Sequence, residues 1–330
     1  MDICEYTPYF KAELKPFIEK CVHTPFKEYD VSQDLSANYI IEELSDITSN
    51  HGFVFVAKNQ SEIIGLIASE RLEWDSTHFG FEISKITHLL AVGNYFETFD
   101  IKQKLISHLL SKCYSILSLH LSARVSKEDL SSIHALENKS FRLMDVLVTY
   151  SFDLRKQKWV NTESPCLVRK FRQADLPLLE DISISCFRDS PVATDRFHAD
   201  PVLDKKKSDE LYVKWIVDSL QDSSNEILVA EMDGRPIGFN LCTVNKSLSD
   251  KLGIRFGSIA LTAVQPSERH KLVATSLLNA SLAWFTDKVD IVETGGQVSN
   301  YAVQRAWSKV GFKITRSQCT FHWSVLPDDS

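Results

Sequence analysis

Two stretches of this chain carry one pattern at one spacing. Phe53-Val-Phe-Val-Ala-Lys-Asn-Gln-Ser-Glu-Ile-Ile-Gly65 and Glu226-Ile-Leu-Val-Ala-Glu-Met-Asp-Gly-Arg-Pro-Ile-Gly238 each read as a strand, a short polar turn and a second strand opening on Ile-Gly. The two glycines set an offset of 173 between the stretches. Further on, Ala135-Leu-Glu-Asn-Lys-Ser-Phe141 and Ala306-Trp-Ser-Lys-Val-Gly-Phe312 match at an offset of 171. Nearly equal offsets at separate landmarks predict two copies of one α/β unit. A length of 330 residues agrees, because one hydrophobic core rarely extends so far. The polar, proline-bearing stretch around 156–165 reads as the linker, between a first copy at 1–155 and a second at 166–330.

Composition removes several function classes. A net charge of −7 opposes non-specific nucleic-acid binding, which needs lysine and arginine to displace phosphate counterions. The 7 cysteines are scattered without a CxxC pair, so neither a zinc motif nor a disulfide framework is indicated, and no metal is expected. The start, Met-Asp-Ile-Cys-Glu, lacks a basic segment followed by an apolar one, and no uncharged run approaches a membrane span. The expectation is a cytoplasmic enzyme or binding protein without membrane partners, its oligomeric state open.

The chemistry concentrates between Ser258 and Trp323. An apolar strand to Val264 is followed by Pro266, a basic turn (Arg269-His270-Lys271) and a long helix. A second strand (Asp290 to Glu293) leads through Gly295, Gly296 and Asn300 into another helix and a last strand. A basic turn at a helix head is an anion site, since unpaired N–H groups and the positive dipole end point there. A solvated basic turn is the plainer reading. No Walker or dinucleotide glycine loop accompanies it.

This order of elements resembles the GNAT N-acyltransferases, whose pyrophosphate turn reads Val-x-Pro-x-x-Arg-Gly-x-Gly-x-Gly/Ala. Val264, Pro266, Arg269, His270, Leu272 and Ala274 stand at the matching places, and Asn300 matches the asparagine beside the acyl-CoA arm. Leu72-Glu-Trp-Asp-Ser-Thr-His-Phe-Gly80 further resembles a segment of the TDP-fucosamine acetyltransferases, as does the stretch from Ser190 to Pro201 with Tyr212 and Trp215. The resemblance implies an α/β (α+β) fold of tandem GNAT-like domains, each a mixed central sheet flanked by helices, with the second catalytic and the first degenerate. It implies acetyl-CoA as cosubstrate and a small amine as acceptor, here a nucleotide-linked 4-amino-deoxy sugar. Cofactor contacts would come from Leu261, Thr262, Ala263, Val264, Arg269, His270, Lys271, Leu272, Val273, Ala274 and Asn300, and acceptor contacts from Arg196, Phe197 and Asp200. Two departures stand out. Leu272 replaces a glycine of the turn, and Trp307 stands where the family carries a proton-donating tyrosine; an indole N–H is no such acid.

Acyl transfer needs a polarised thioester carbonyl, and a main-chain N–H near Leu261 to Ala263 is the expected donor. His198 can take a proton near neutral pH, though an exposed loop histidine is the alternative. Tyr301, in the first turn of its helix, has a hydroxyl for the thiol, with a packed or exposed tyrosine as the alternative. His322, between Phe321 and Trp323, reads as facing solvent or the other copy, and Trp74 and Phe79 as core anchors or substrate contacts. The first copy has an aromatic and acidic stretch (Ile86 to Phe99) in place of the basic turn, which would repel a diphosphate. The expected activity is N-acetyl transfer to a primary amine. The alternatives are an acyltransferase for another small amine or amino acid, or an acyl-CoA binder without turnover.

Overall fold

The computed structural model describes residues 1–115, 120–160, 164–187, 195–269 and 271–325. In chain order the first half contains β1 (Asp2–Glu5), α1 (Lys11–Lys20), α2 (Gln33–Ser49), β2 (Phe53–Asn59), β3 (Glu62–Arg71), α3 (Glu73–Phe79), β4 (Ile83–Ala91), α4 (Tyr95–Ser115), β5 (His120–Ser126), α5 (Leu130–Asn138) and β6 (Arg142–Asp153). The second half contains β7 (Leu167–Lys170), α6 (Leu176–Phe187), α7 (Arg196–Ala199), α8 (Lys205–Ser219), β8 (Asn225–Met232), β9 (Arg235–Asn245), α9 (Lys246–Leu252), β10 (Phe256–Val264), α10 (Val273–Phe285), β11 (Ile291–Gln297), α11 (Tyr301–Val310) and β12 (Lys313–Ser324). Among the described residues no helix is long and apolar enough to cross a membrane.

Contacts divide the chain into two compact units that do not follow chain order. Unit 1 holds Met1–Val146, Asp200–Val202 and the chain from Ser317 onward; unit 2 holds Leu147–Ala199 and Leu203–Arg316. In unit 1, β1, β2, β3 and β4 pair antiparallel in sequence and β4 pairs β5 in parallel. Its sheet continues with the end of β12, where Gln318–Ser324 runs antiparallel to β5. Unit 2 repeats the plan: β7, β8, β9 and β10 are antiparallel, β10 and β11 are parallel, and Leu147–Asp153 of β6 runs antiparallel to β11. Each copy's sheet thus ends on the last strand of the other copy's sequence, rather than breaking at 156–165. Both closing strands use the same register: Ile291 faces Asp153, and their counterparts in the repeat, His120 and Ser324, face each other likewise.

The repeat offset is also built into the hairpins. Gly65 pairs Ala57 and Ala91, and Gly238 pairs the corresponding Ala230 and Val264. Gly65 has to be small because a Cβ there would overlap Ile101 on α4, which presses onto the sheet. Unit 1 has apolar clusters built on Leu105, Leu109, Leu121 and Phe321, and on Leu14, Ile40, Leu44 and Leu66. Unit 2 is centred on Phe152, Leu282, Phe285 and Trp307. Truncating one such leucine or isoleucine to alanine costs about 2–5 kcal/mol.

Candidate functional site

In unit 2, β10 and β11 pair only from Phe256–Ile291 to Ile259–Thr294. Both strands continue, β10 to Val264 and β11 to Gln297, without further pairing between them. On its other side β10 slips register against β9 between Ile259 and Leu261, so Ala260 is a bulge. Gln265 N–H donates to Ile237 O at 2.9 Å, on the β9 side. Backbone groups alternate sides along a strand, so Leu261 and Ala263 also face β9. The N–H groups of Thr262 and Val264 face the open gap. The Thr262 hydroxyl is buried without a partner among the described residues.

The gap leads to the head of α10. Leu272 precedes the helix with φ 61°, and no side chain caps it, so its first N–H groups remain available. The left-handed backbone at Leu272 is the conformation glycine adopts without cost; an L-residue pays about 1–2 kcal/mol. Arg269 is exposed, its Nε 3.5 Å from Val264 O and its Nη2 3.7 Å from Cys186 Sγ. Lys271 Nζ lies 2.8 Å from Glu268 Oε2, which offsets part of the turn's charge. Val273 is buried, Ala274 half-buried, and His270 lies outside the described residues. Asn300 caps α11, its Oδ1 accepting Val303 N–H at 3.4 Å.

Unit 1 has the same divergence and the same bulge. β4 and β5 pair from Ile83–His120 to Ile86–Ala123 only, and the slip against β3 leaves out Thr87, the counterpart of Ala260 in the repeat. What differs is the helix head. α4 starts soon after β4, and Asn94 Oδ1 accepts the N–H groups of Phe96 and Glu97 at 2.9 and 3.1 Å. The Glu97 carboxylate accepts Asn94 N–H at 2.8 Å. This reciprocal capping box consumes the donors and places a negative charge at the dipole end. The cleft behind it is a cavity of 290 Å³ lined by His23, Leu90, Tyr95, Lys102 and Asp129.

The acceptor-side candidates are not brought together. His198 Nδ1 lies 2.7 Å from Asp195 Oδ2 and its Nε2 3.1 Å from Asp209 Oδ1. The Asp195 hydrogen bond raises the histidine's pKa, against the opposing effect of burial, and Asp209 adds to the rise. Carboxylates on both nitrogens favour the charged ring, in which neither nitrogen has a lone pair to act as a base. The sequence reading missed Asp195, whose signal was local: it caps α7 by accepting Phe197 and His198 N–H. Arg196 lies over the adjacent Phe197 ring at 4.2 Å.

Asp200 is 2% exposed and lies inside unit 1, facing His120 and His322. His322 is buried there too, not in solvent, and Phe321 and Trp323 beside it are also buried, so this strand does not alternate. The start of the acceptor-like stretch, at Ser190, lies outside the described residues. Tyr301 is 63% exposed and Trp215 40%. Trp307 is enclosed at 2%, its ring 5.1 Å from that of Tyr150.

The Leu72–Gly80 segment has a local structural account. Ser76 Oγ donates to Leu72 O at 2.7 Å and accepts Ile83 N–H at 3.0 Å. Gly80 closes α3 at φ 84°, Phe79 is buried, and Trp74 stacks on His78.

The acetyltransferase (GNAT) family matches residues 187–312. That stretch is similar to GNAT acetyltransferase domains, which form an enzyme family that uses acyl-CoA. No curated protein matches the sequence, and the finer likeness to TDP-fucosamine acetyltransferases finds no support there. Among solved structures, a GCN5-related N-acetyltransferase from Sphaerobacter thermophilus superposes with TM-score 0.66 at 13% identity, over 99% of this chain and 96% of that one. A tandem GNAT protein from the clavulanic acid biosynthesis pathway gives 0.55 at 10% identity, over 99% of both chains. A GCN5-related glucosamine N-acetyltransferase region of a fungal multi-domain β-N-acetylglucosaminidase gives 0.64 at 12% identity, over 98% of this chain and 38% of that one. At such identities the likeness shows the fold, and the fold is that of tandem GNAT proteins.

Proposed function

We propose that unit 2 transfers an acetyl group from acetyl-CoA to a primary amine. The observation that carries this is the parting of β10 and β11 after Ile259 and Thr294, which opens Thr262 and Val264 N–H beside an uncapped helix head. The arm of the cosubstrate would lie along β10 and its diphosphate at the N–H groups of Val273 and Ala274, with Arg269 alongside. The neutral amine attacks the thioester carbonyl, forming the C–N bond, while Thr262 N–H takes the developing oxyanion. Collapse breaks the C–S bond, the ammonium proton passes to water, and CoA leaves as thiolate. Trp307 cannot protonate it, being enclosed and non-acidic. Tyr301, exposed in the first turn of α11, is the side-chain candidate for that proton.

For the acceptor, a nucleotide-linked 4-amino-deoxy sugar remains the reading drawn from the Leu72–Gly80 segment, and glucosamine belongs in the same panel because one fold relative acts on it. A thiol-release assay with acetyl-CoA and a panel of amino sugars, amino acids and polyamines tests the proposal. Amine-dependent release of CoA is the expected result. Saturable binding with no release for any amine would instead favour an acyl-CoA binder, the reading for which Leu272 in the turn speaks.

A further inference from the structure

We propose that His120, Asp200 and His322 form a binding site for a divalent transition-metal ion of the zinc type. The site lies wholly within unit 1 and does not depend on the reading of unit 2. His120 Nε2 stands 3.0 Å and His322 Nδ1 2.7 Å from the same carboxylate oxygen, Asp200 Oδ2. The three donor atoms all fall within 4.8 Å of one another, and each residue is only 2% exposed. The imidazole centroids are 4.6 Å apart with planes crossing at 74°, so two nitrogen edges meet at one oxygen.

Two imidazoles and a carboxylate are a donor set suited to zinc, cobalt or ferrous iron. Donors about 2.0–2.2 Å from a zinc ion at tetrahedral angles stand roughly 3.4 Å apart; the two nitrogens stand 3.0 and 2.7 Å from Asp200 Oδ2, so an ion would need only a small parting of the ligands. Two of the ligands are held by the sheet, since His120 pairs with Ser324 and His322 with Ser122 on adjoining strands. The third is fixed through its other oxygen, as Asp200 Oδ1 accepts Val202 N–H at 2.9 Å. That leaves Oδ2 directed at the imidazoles, the kind of outer-shell support that orients a ligating carboxylate. A buried carboxylate also needs positive charge nearby. Among the described residues no lysine or arginine pairs with Asp200, and the two imidazoles are its side-chain partners. A cation would supply that charge and tie Asp200–Val202, the one short segment of the second copy's middle sequence within unit 1, to β5 and β12. No spacing motif announces the site, because the ligands are 80 and 122 residues apart in sequence.

The test uses full-length protein with any affinity tag removed, dialysed against a chelator and titrated with Co²⁺ and then Zn²⁺. Expected are about one ion bound per chain, visible d–d absorption with cobalt, and a higher melting temperature with zinc. His120→Gln, Asp200→Asn and His322→Gln should each weaken metal binding at least tenfold to a hundredfold and abolish the melting shift, with folding checked by far-UV circular dichroism. If a variant does not fold, X-ray absorption of the zinc-loaded wild type still decides, with nitrogen and oxygen neighbours at about 2.0–2.2 Å expected. Absence of both the cobalt band and the melting shift would overturn the proposal. So would a cobalt band undiminished in all three variants, or sulfur ligands at about 2.3 Å.

Discussion

Asp129 and Asn300 hold matching posts in the two copies, each accepting a backbone N–H three residues on: Ser132 at 3.1 Å and Val303 at 3.4 Å. Around them the two clefts differ. In unit 1, Lys102 Nζ reaches both Asp129 oxygens at 2.8 Å, whereas among the described residues no charged side chain pairs with Asn300. The first copy has an ion pair at the place where, on the function proposed above, the second would receive the cosubstrate arm.

Burial works to raise the Asp129 pKa, but Lys102 and Ser132 together hold it below its ordinary value of 3.8. For Lys102 the balance goes the other way, and burial lowers its pKa despite Asp129. Lys102→Met alone should therefore cost about 3–5 kcal/mol, because it strands a buried carboxylate, and Lys102→Met with Asp129→Asn should recover much of that. Urea unfolding measures both. Because the folded pKa of Asp129 is depressed, its contribution is complete above 3.8 and fades as pH falls through the lower folded value. The difference in urea midpoint between wild type and Asp129→Asn should accordingly shrink on acidification.

Leu272→Gly should relieve the left-handed strain at φ 61°, part of which is offset by the greater freedom of glycine in the unfolded chain. A gain of up to about 1 kcal/mol in stability is expected, with a lower KM for acetyl-CoA as the backbone can approach the diphosphate. A raised KM would count against a phosphate role for this turn.

Arg269→Glu should raise KM for acetyl-CoA by roughly ten- to a hundredfold, the loss of a charge-assisted contact of about 1.5–3 kcal/mol. Steady-state kinetics at fixed ionic strength gives the answer, and an unchanged KM would place the diphosphate elsewhere.

Trp307→Phe should reduce stability by about 1–3 kcal/mol, since the indole fills a closed space against Tyr150 and above Gly296, where a Cβ would lie 3.1 Å from Trp307 Cη2. Turnover per folded molecule should hold, because the indole carries no transferable proton. A tenfold loss of turnover in folded protein would contradict its assignment to the core.

Thiol labelling should sort the cysteines by burial. Cys4 and Cys166 are partly exposed and should alkylate first at mildly alkaline pH. Burial pushes Cys21 and Cys242 up to about 12 and Cys113 up to about 11, so these should react only on unfolding. Pulse alkylation followed by mass spectrometry distinguishes the two groups.

The sequence by itself determined the duplicated hairpins, the strand–turn–helix order around Arg269 and the lack of a basic turn in the first copy. Those are local features: turn chemistry, strand alternation and charge lie within a few residues of one another. Only the tertiary structure decided which sheet each closing strand joins, because β6 and β12 carry the same pairing pattern and nothing within a strand names its partner. Burial set the surroundings of Asp200 and Trp307, and two carboxylates set those of His198, none of which their motif positions announced. Asp200 and His322 meet His120 across long stretches of chain, and a polar side chain's chemistry depends on the neighbours that the folded chain brings to it.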